Sequence, residues 1–117
     1  MNLRFLATSL ITLLLSLLAP STLALTMKQV SDICHSSPGE CSDHPITRAY
    51  VGGALDLLAT LDERTDYMGK VYCKKPKELF DVSAIIRFME LRSDQYATDN
   101  AMLVLVRYFE EYSGCKP

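Results

Sequence analysis

The chain has few of the features that mark nucleic-acid-binding proteins. It contains no tryptophan and only 2 histidines, and its 12 lysines and arginines are outnumbered by 14 aspartates and glutamates. A nucleic-acid-binding domain normally carries an excess of positive charge on one face. We therefore predict no nucleic-acid partner.

Enzyme signatures are also missing from the sequence. It has no glycine-rich phosphate loop, no Gly-x-Ser-x-Gly turn and no His-Glu-x-x-His motif. Its adjacent carboxylates, such as Asp62-Glu63 and Glu110-Glu111, stand in polar stretches rather than in the apolar surroundings that favour acid–base catalysis. We predict a protein that is not an enzyme and that uses no cofactor.

Beyond residue 24 no apolar run is long enough to cross a membrane. At the N-terminus, Arg4 precedes the uncharged apolar run 5–18, and the small residues of Thr22-Leu23-Ala24 follow. This order is typical of a secretory signal peptide, and the run is shorter than the roughly 20 residues of a membrane span. We predict a cleaved signal peptide over residues 1–24 and a single domain over 25–117, with no membrane attachment after cleavage.

All four cysteines, Cys34, Cys41, Cys73 and Cys115, lie in the predicted mature part. An even number of cysteines in a short exported chain predicts disulfides, and four cysteines allow three pairings. Cys34 and Cys41 flank a short turn, whereas Cys115 needs a distant partner. We therefore favour the pairs Cys34–Cys41 and Cys73–Cys115.

A metal site is the alternative use of the first two cysteines. Cys34, His35, Cys41 and His44 are residue types that bind zinc, but their spacing matches no standard zinc signature. In an oxidising compartment two such cysteines more often pair with each other. We therefore predict no metal.

Helical spacing of apolar residues predicts an all-α fold, a small four-helix domain stapled by two disulfides. Pro45 and Pro76 suit first helical turns, and Gly114 suits a helix end. Thr98 or Ser93 is a candidate cap for the last helix. The predicted helices run from about Thr26 to Cys34, from Pro45 to Leu61, from Pro76 through Met89, and from Tyr96 or Thr98 to Tyr112.

The second predicted helix contains the motif Tyr50, Gly52, Gly53 and Asp56. Two glycines inside a helix cost about 1 kcal/mol each relative to alanine, so close packing within the domain is expected to offset them. The apolar stripe of this helix is predicted to comprise Ile46, Ala49, Tyr50, Gly53, Leu57 and Leu61.

The last predicted helix carries six consecutive apolar residues over 101–106. A surface helix needs only one apolar stripe. Either this helix is central in the bundle, or a second copy of the chain covers its other face.

The order of these features resembles the Rap/Tai group of type VI secretion immunity proteins. The resemblance rests on the glycine-rich helix with Tyr50 and Asp56, on Cys73 with Pro76 shortly after, and on a last helix ending at Cys115. It implies a small periplasmic helical protein, often a homodimer, which binds and blocks a peptidoglycan amidase effector and so protects the producing cell.

The sequence departs from the family in the segment between the last two helices, where a proline-containing turn is usual, and at the usual aromatic-Pro-Cys ending. That segment is a contact region in inhibitors of this type. Its candidate partner-binding residues here are Arg92, Asp94, Gln95 and Tyr96, with Tyr96 as aromatic anchor. The alternative function is a periplasmic acid-stress chaperone, also small, helical and disulfide-bonded.

Overall fold

The computed structural model describes residues 24–74 and 76–115, and the predicted signal peptide over 1–24 lies outside them except for Ala24. The described residues form an all-helical fold without β-strands, as predicted. Two short 3₁₀ turns, Cys41–Asp43 and Met68–Lys70, connect the helices. The α-helices are α1 (Met27–Cys34), α2 (Pro45–Arg64), α3 (Pro76–Leu79), α4 (Val82–Leu91) and α5 (Ala101–Tyr112).

The start of α1 is capped and is joined to the start of α5. Thr26 Oγ1 accepts from the Gln29 amide at 3.2 Å, and Gln29 Oε1 accepts from the Thr26 amide at 2.9 Å. This capping box satisfies amides that have no partner inside the helix. The Ala101 amide donates to the Leu25 carbonyl at 2.8 Å, which holds the two helix starts together.

The third predicted helix begins at Pro76 as expected but is divided into α3 and α4. Asp81 has extended backbone angles, and its carboxylate accepts from the Ala84 amide at 3.0 Å, so it caps a new helix. Phe80, at the break, packs its ring 5.6 Å from Tyr72 and 5.8 Å from Phe109. A local cap and the burial of one aromatic ring therefore override the continuous helical spacing.

The last helix starts later than predicted. Its N-cap is Asn100, whose side-chain oxygen accepts from the Met102 amide at 2.9 Å, and neither Thr98 nor Ser93 caps it. The helix starts late because the segment before it forms successive turns, and the carbonyls of Ala97 and Asp99 in that segment accept hydrogen bonds from amides of α1. The helix ends as predicted, because Gly114 follows with a φ of 71°.

Helix α5 lies at the centre of the core. Five of its residues are buried, and Phe109 is 0 % exposed. Its aromatic rings continue into a cluster of near-perpendicular pairs, including Phe88 with Tyr108 at 5.4 Å. The helix is thus central in the described fold, but Leu103 and Val106 on its other face are exposed, so cover by a second copy stays a prediction. The buried residues are Ala101, Val104, Leu105, Tyr108 and Phe109.

Helix α2 is rotated relative to the predicted stripe, although Tyr50 of that stripe and the neighbouring Ala54 and Leu58 do pack against the core. Its buried residues are Thr47, Val51 and Leu55, whereas Ile46 is 61 % exposed and Leu57 is 59 % exposed. Both sets have helical spacing, so the pattern alone does not choose between them. Tertiary contacts fix the rotation: the Arg48 guanidinium donates to the Ser42 carbonyl at 2.8 Å and to Ser83 Oγ at 2.9 Å.

Both predicted disulfides are present, with Cα–Cα distances of 5.0 Å for Cys34–Cys41 and 4.9 Å for Cys73–Cys115. Beside the second one, the Ser113 carbonyl accepts from the amides of Cys73 and Lys74 at 2.9 and 3.0 Å. The disulfide and these two hydrogen bonds together tie the end of α5 to the segment before α3.

Candidate protein-binding surface

The connection between α4 and α5, residues 92–100, is folded down onto α1. The amides of Met27 and Lys28 donate to the carbonyls of Asp99 and Ala97 at 2.8 and 3.0 Å. Inside the connection, the Tyr96 amide donates to the Arg92 carbonyl at 3.1 Å. The connection is thus an ordered series of turns rather than a protruding loop.

Arg92, the first of the four predicted contact residues, ends α4 and is held in place by its neighbours. Its guanidinium carbon lies 3.6 Å from the centre of the Phe88 ring, and Nη2 donates to Glu111 Oε2 at 3.1 Å. Stacking on an aromatic ring and pairing with a carboxylate both restrict the side chain. Arg92 is therefore a positioned cation between α4 and α5.

The other three predicted residues point to different places. Tyr96 is half-buried and packs against the core. Asp94 and Gln95 are exposed, and Asp94 lies at a polar cleft that also contains Lys28 and Asp32 of α1. The structure thus does not gather the four residues into one element, and their role in partner binding stays a prediction.

A groove between α4 and α5 brings Arg92 together with residues that the sequence analysis did not select. This groove has a volume of about 360 Å³. Leu91 on its rim is 83 % exposed, and Tyr112 opposite is also exposed. We call it the α4–α5 groove; it is lined by Ala84, Arg87, Phe88, Leu91, Arg92, Tyr108 and Tyr112.

The spacing of two residues in the sequence indicates part of this groove. Arg87 and Leu91 are one helical turn apart, and neither belongs to the buried stripe of α4. The predicted third helix ends at Met89, so Leu91 falls outside it. In the structure it is the last residue of α4 and presents its side chain to solvent.

The charges around the α4–α5 groove are mostly paired. Arg92 pairs with Glu111, and Arg107 pairs with Glu110 at 2.9 Å. Such exposed pairs contribute only about 0–1 kcal/mol each. Among the described residues, Arg87 has no ion-pair partner within 4 Å, so it adds a positive charge at the mouth of the groove.

The glycine motif of α2 lies away from the core. A Cβ atom added at Gly52 or at Gly53 would meet no heavy atom of another element within 4 Å. Asp56 is exposed, and Tyr50 is half-buried. The expectation that close packing within the domain offsets the glycines is therefore wrong.

The candidate metal ligands Cys34, His35 and Cys41 do lie together, with ligand atoms within 4.8 Å of one another. The two sulfur atoms, however, are bonded to each other. His35 Nδ1 lies 2.8 Å from the Ser31 carbonyl, and Nε2 lies 3.6 Å from Glu90 Oε1. The two cysteines therefore have no free thiolate to offer a metal, and His44 is not part of the cluster.

Three tyrosines have pKa values that the fold raises. Burial raises the pKa of Tyr50, Tyr72 and Tyr108, and for Tyr72 the negative charge of Asp62 adds to the effect. The Tyr72 hydroxyl is buried without a partner in hydrogen-bonding geometry among the described residues, so Asp62 acts on it mainly through charge. A raised pKa keeps these phenols neutral at neutral pH. Because a general acid or base works best with a pKa near the operating pH, the shift makes them less suited to acid–base catalysis.

A scan against protein-family models finds no match to the chain, and searches of curated proteins and of solved structures find none either. The resemblance to immunity proteins thus depends on the motif residues alone. Within the described part of the chain, every helix is too short or too polar to cross a membrane.

Proposed function

We propose that this chain is a periplasmic immunity protein that binds and blocks a peptidoglycan amidase effector of a type VI secretion system. The motif resemblance supports the proposal, as do the signal-peptide pattern at the N-terminus and the two disulfides, which suit an oxidising compartment. An inhibitor of this type needs no catalytic residues, only a rigid surface that fills the groove of its target.

The observation that carries the proposal is the exposed rim of the α4–α5 groove. Leu91 is 83 % exposed beside Tyr112, Arg87 and Arg92. Interface centres are enriched in aromatic residues and arginine, and a large apolar side chain presented to water suits a partner that buries it. We propose this groove as the surface that contacts the amidase.

The guanidinium groups add specificity to this surface. Arg92 is already oriented by Phe88 and Glu111, so binding costs it little rotamer entropy. Arg87 offers an unpaired positive charge for a carboxylate of the partner. Complementary charge of this kind mainly speeds encounter and selects the partner.

The proposal is tested by inhibition of peptidoglycan hydrolysis by a type VI amidase effector, which is first sought in the reading frame next to this gene. We expect the unmodified protein to block hydrolysis and Leu91→Glu to weaken inhibition by at least about tenfold, because a charge replaces an apolar contact at the interface centre. Leu103→Glu, an exposed leucine on α5 outside the groove, is the matched control and should inhibit normally.

Three outcomes would contradict the proposal. The first is hydrolysis that the unmodified protein leaves unaffected, and the second is an equal loss of inhibition in the two leucine variants. The third is a loss confined to the double variant Asp94→Ala with Gln95→Ala, which would place the contact on the connection instead. Suppression of client aggregation at pH 2 with loss of helical circular dichroism would favour the chaperone. No carboxylate or histidine is buried among the described residues, so acid has no buried group to protonate there.

A further inference from the structure

His35, directly after α1, is oriented so that one of its ring nitrogens is free to bind a cation. Its Nδ1 lies 2.8 Å from the Ser31 carbonyl oxygen, which can only accept a hydrogen bond. Nδ1 therefore carries the donated proton, and Nε2 of the neutral ring keeps its lone pair. A histidine that binds a metal through one nitrogen is commonly held in this way by a carbonyl at the other.

The free nitrogen of His35 faces further electron-pair donors. Nε2 lies 3.6 Å from Glu90 Oε1 of α4 and 3.8 Å from Cys41 Sγ of the first 3₁₀ turn. Cys34 Sγ lies 3.5 Å from Nδ1 of the same ring. The Nε2 lone pair and a carboxylate oxygen are both acceptors, so a proton or a metal cation between them is what makes this contact favourable.

The chemistry of these donors suits zinc. Zinc takes four ligands in a tetrahedron, from thiolates at about 2.3 Å and from imidazole nitrogens and carboxylate oxygens at about 2.0–2.2 Å, so its ligand atoms lie about 3.4–3.8 Å apart. The distances from His35 Nε2 to Glu90 Oε1 and to Cys41 Sγ are 3.6 and 3.8 Å. Thiolates and imidazole select zinc over calcium and magnesium, which prefer oxygen ligands.

The two sulfur atoms are bonded to each other, so they can act as ligands only after reduction. A dithiol reductant opens the bond by thiol–disulfide exchange: two electrons pass to the S–S bond, Cys34 and Cys41 become thiols, and the reductant becomes a disulfide. Zinc then displaces one proton from each thiol and binds the two thiolates.

The sulfur atoms have room to part. In a tetrahedral zinc site two thiolate sulfurs lie about 3.8 Å apart, and the Cα atoms of Cys34 and Cys41, 5.0 Å apart, allow this separation by rotation of the side chains. A cavity of about 10 Å³ touches both cysteines and Glu90. The backbone therefore does not need to move for the donors to surround an ion.

From these observations we infer that Cys34, His35, Cys41 and Glu90 form a zinc site when the Cys34–Cys41 disulfide is reduced. The disulfide joins the end of α1 to the 3₁₀ turn, and zinc would replace this link and extend it to α4 through Glu90. The sequence-based prediction of no metal rested on the closed disulfide, and Glu90 takes the place of His44 in the set considered there. The inference does not rest on the proposed function, because the α4–α5 groove contains none of these four residues.

Zinc binding by the reduced protein tests the inference. The full chain, exported with its own leader, is reduced with a phosphine, which binds zinc more weakly than a dithiol does, and is titrated with Zn²⁺ against a chromogenic chelator. We expect one zinc per chain after reduction and none before it, with helical circular dichroism retained. Co²⁺ in place of Zn²⁺ should give the absorption bands of tetrahedral thiolate coordination in the reduced protein alone.

Variants identify the ligands. His35→Gln and Glu90→Gln should each raise the dissociation constant for zinc by at least about tenfold. His44→Gln is the matched control and should leave the constant unchanged, because His44 lies outside the cluster. Cys34→Ser with Cys41→Ser should abolish binding, whereas Cys73→Ser with Cys115→Ser should not alter it.

Several results would overturn the inference: a reduced, helical chain that binds no zinc, zinc bound equally by the oxidised chain, or equal effects of the two histidine variants. Loss of helical circular dichroism on reduction that zinc does not reverse would overturn it too. Amidase inhibition by the oxidised protein keeps the two proposals apart. If zinc binds as expected and no amidase is inhibited, only the proposed function fails.

Discussion

Helices α5 and α2 both carry more apolar residues than one buried face needs, yet the fold treats them differently. Helix α5 lies at the centre, and its aromatic residues join Phe80 and Phe88 in the core. Helix α2 buries only Thr47, Val51 and Leu55 and leaves a second apolar line in solvent. Helix α5 thus uses most of its apolar residues inside the domain and leaves Leu103 and Val106 partly exposed, whereas α2 leaves Ile46 and Leu57 more than half exposed.

The difference teaches that apolar content alone does not tell a core helix from a surface helix. The informative signs are the glycines. In α5 there is none, and the buried side chains interlock, whereas in α2 two adjacent glycines have open space above them. Each of these glycines costs about 1 kcal/mol of helix stability relative to alanine, and no contact within the described fold requires it.

The largest expected effect is the difference in the free energy of unfolding between a variant in α5 and a variant in α2. Phe109→Ala, at a fully buried position of α5, should lower the free energy of unfolding by about 3–5 kcal/mol, because it removes apolar contacts and leaves a cavity. Leu57→Ala, at an exposed position of α2, should change it by no more than about 0.5 kcal/mol when the protein is dilute and monomeric. Urea denaturation followed by circular dichroism measures both. Similar losses in the two variants would contradict the comparison.

A smaller effect on the free energy of unfolding, of opposite sign, is expected at Gly52 of α2. Gly52→Ala should raise the free energy of unfolding by about 1 kcal/mol, because alanine has the higher helix propensity and its Cβ meets no neighbouring element. Thermal denaturation at low protein concentration measures the change. A destabilised variant would mean that something in the chain approaches Gly52 closely, and α2 would then resemble α5 more than we infer.

The smallest effect concerns the hydroxyl of Tyr72, whose ring packs against Phe109 of α5. Tyr72→Phe removes a buried hydroxyl without a hydrogen-bond partner among the described residues, so we expect no loss of stability and a gain of up to about 1 kcal/mol. Urea denaturation at neutral pH measures this. A loss of more than about 1 kcal/mol would show that the hydroxyl is in fact paired.

The same variant has a pH dependence with a defined sign. The pKa of Tyr72 is raised in the folded state above its ordinary value of 10.0, by burial first and by Asp62 second. The unfolded chain therefore loses this proton first as the pH rises, and stability is lost above pH 10. In Tyr72→Phe the decline in stability above that pH should be less steep, which denaturation curves at several alkaline pH values would reveal.

Much of the fold could be predicted because the signals are local. Thr26 caps α1, Pro45 and Pro76 begin their helices, and Gly114 ends α5, each through the chemistry of one residue and its immediate neighbours. The disulfide pairing followed from the compartment and from chain distance. The division at Asp81 was missed, because a capping aspartate inside a helical pattern looks like any exposed polar residue.

The candidate sites were less predictable. The connection at 92–100 reads as a polar loop, and only the hydrogen bonds to α1 make it a series of tight turns. Leu91 and Arg87 become one surface with Tyr112 only when α4 packs on α5. No spacing rule relates residues that lie on separate helices.

The sequence by itself determined that the chain is helical and where most helices begin and end, because these depend on local conformational preference. It left three cysteine pairings open, and the structure shows the favoured one. Only the tertiary structure decided how α2 is rotated about its own axis. Both of its apolar lines have helical spacing, and packing of α2 against α1 and α4 buries Val51 and leaves Leu57 in solvent. Arg48 bonds to Ser83, 35 residues away in the chain, in this orientation.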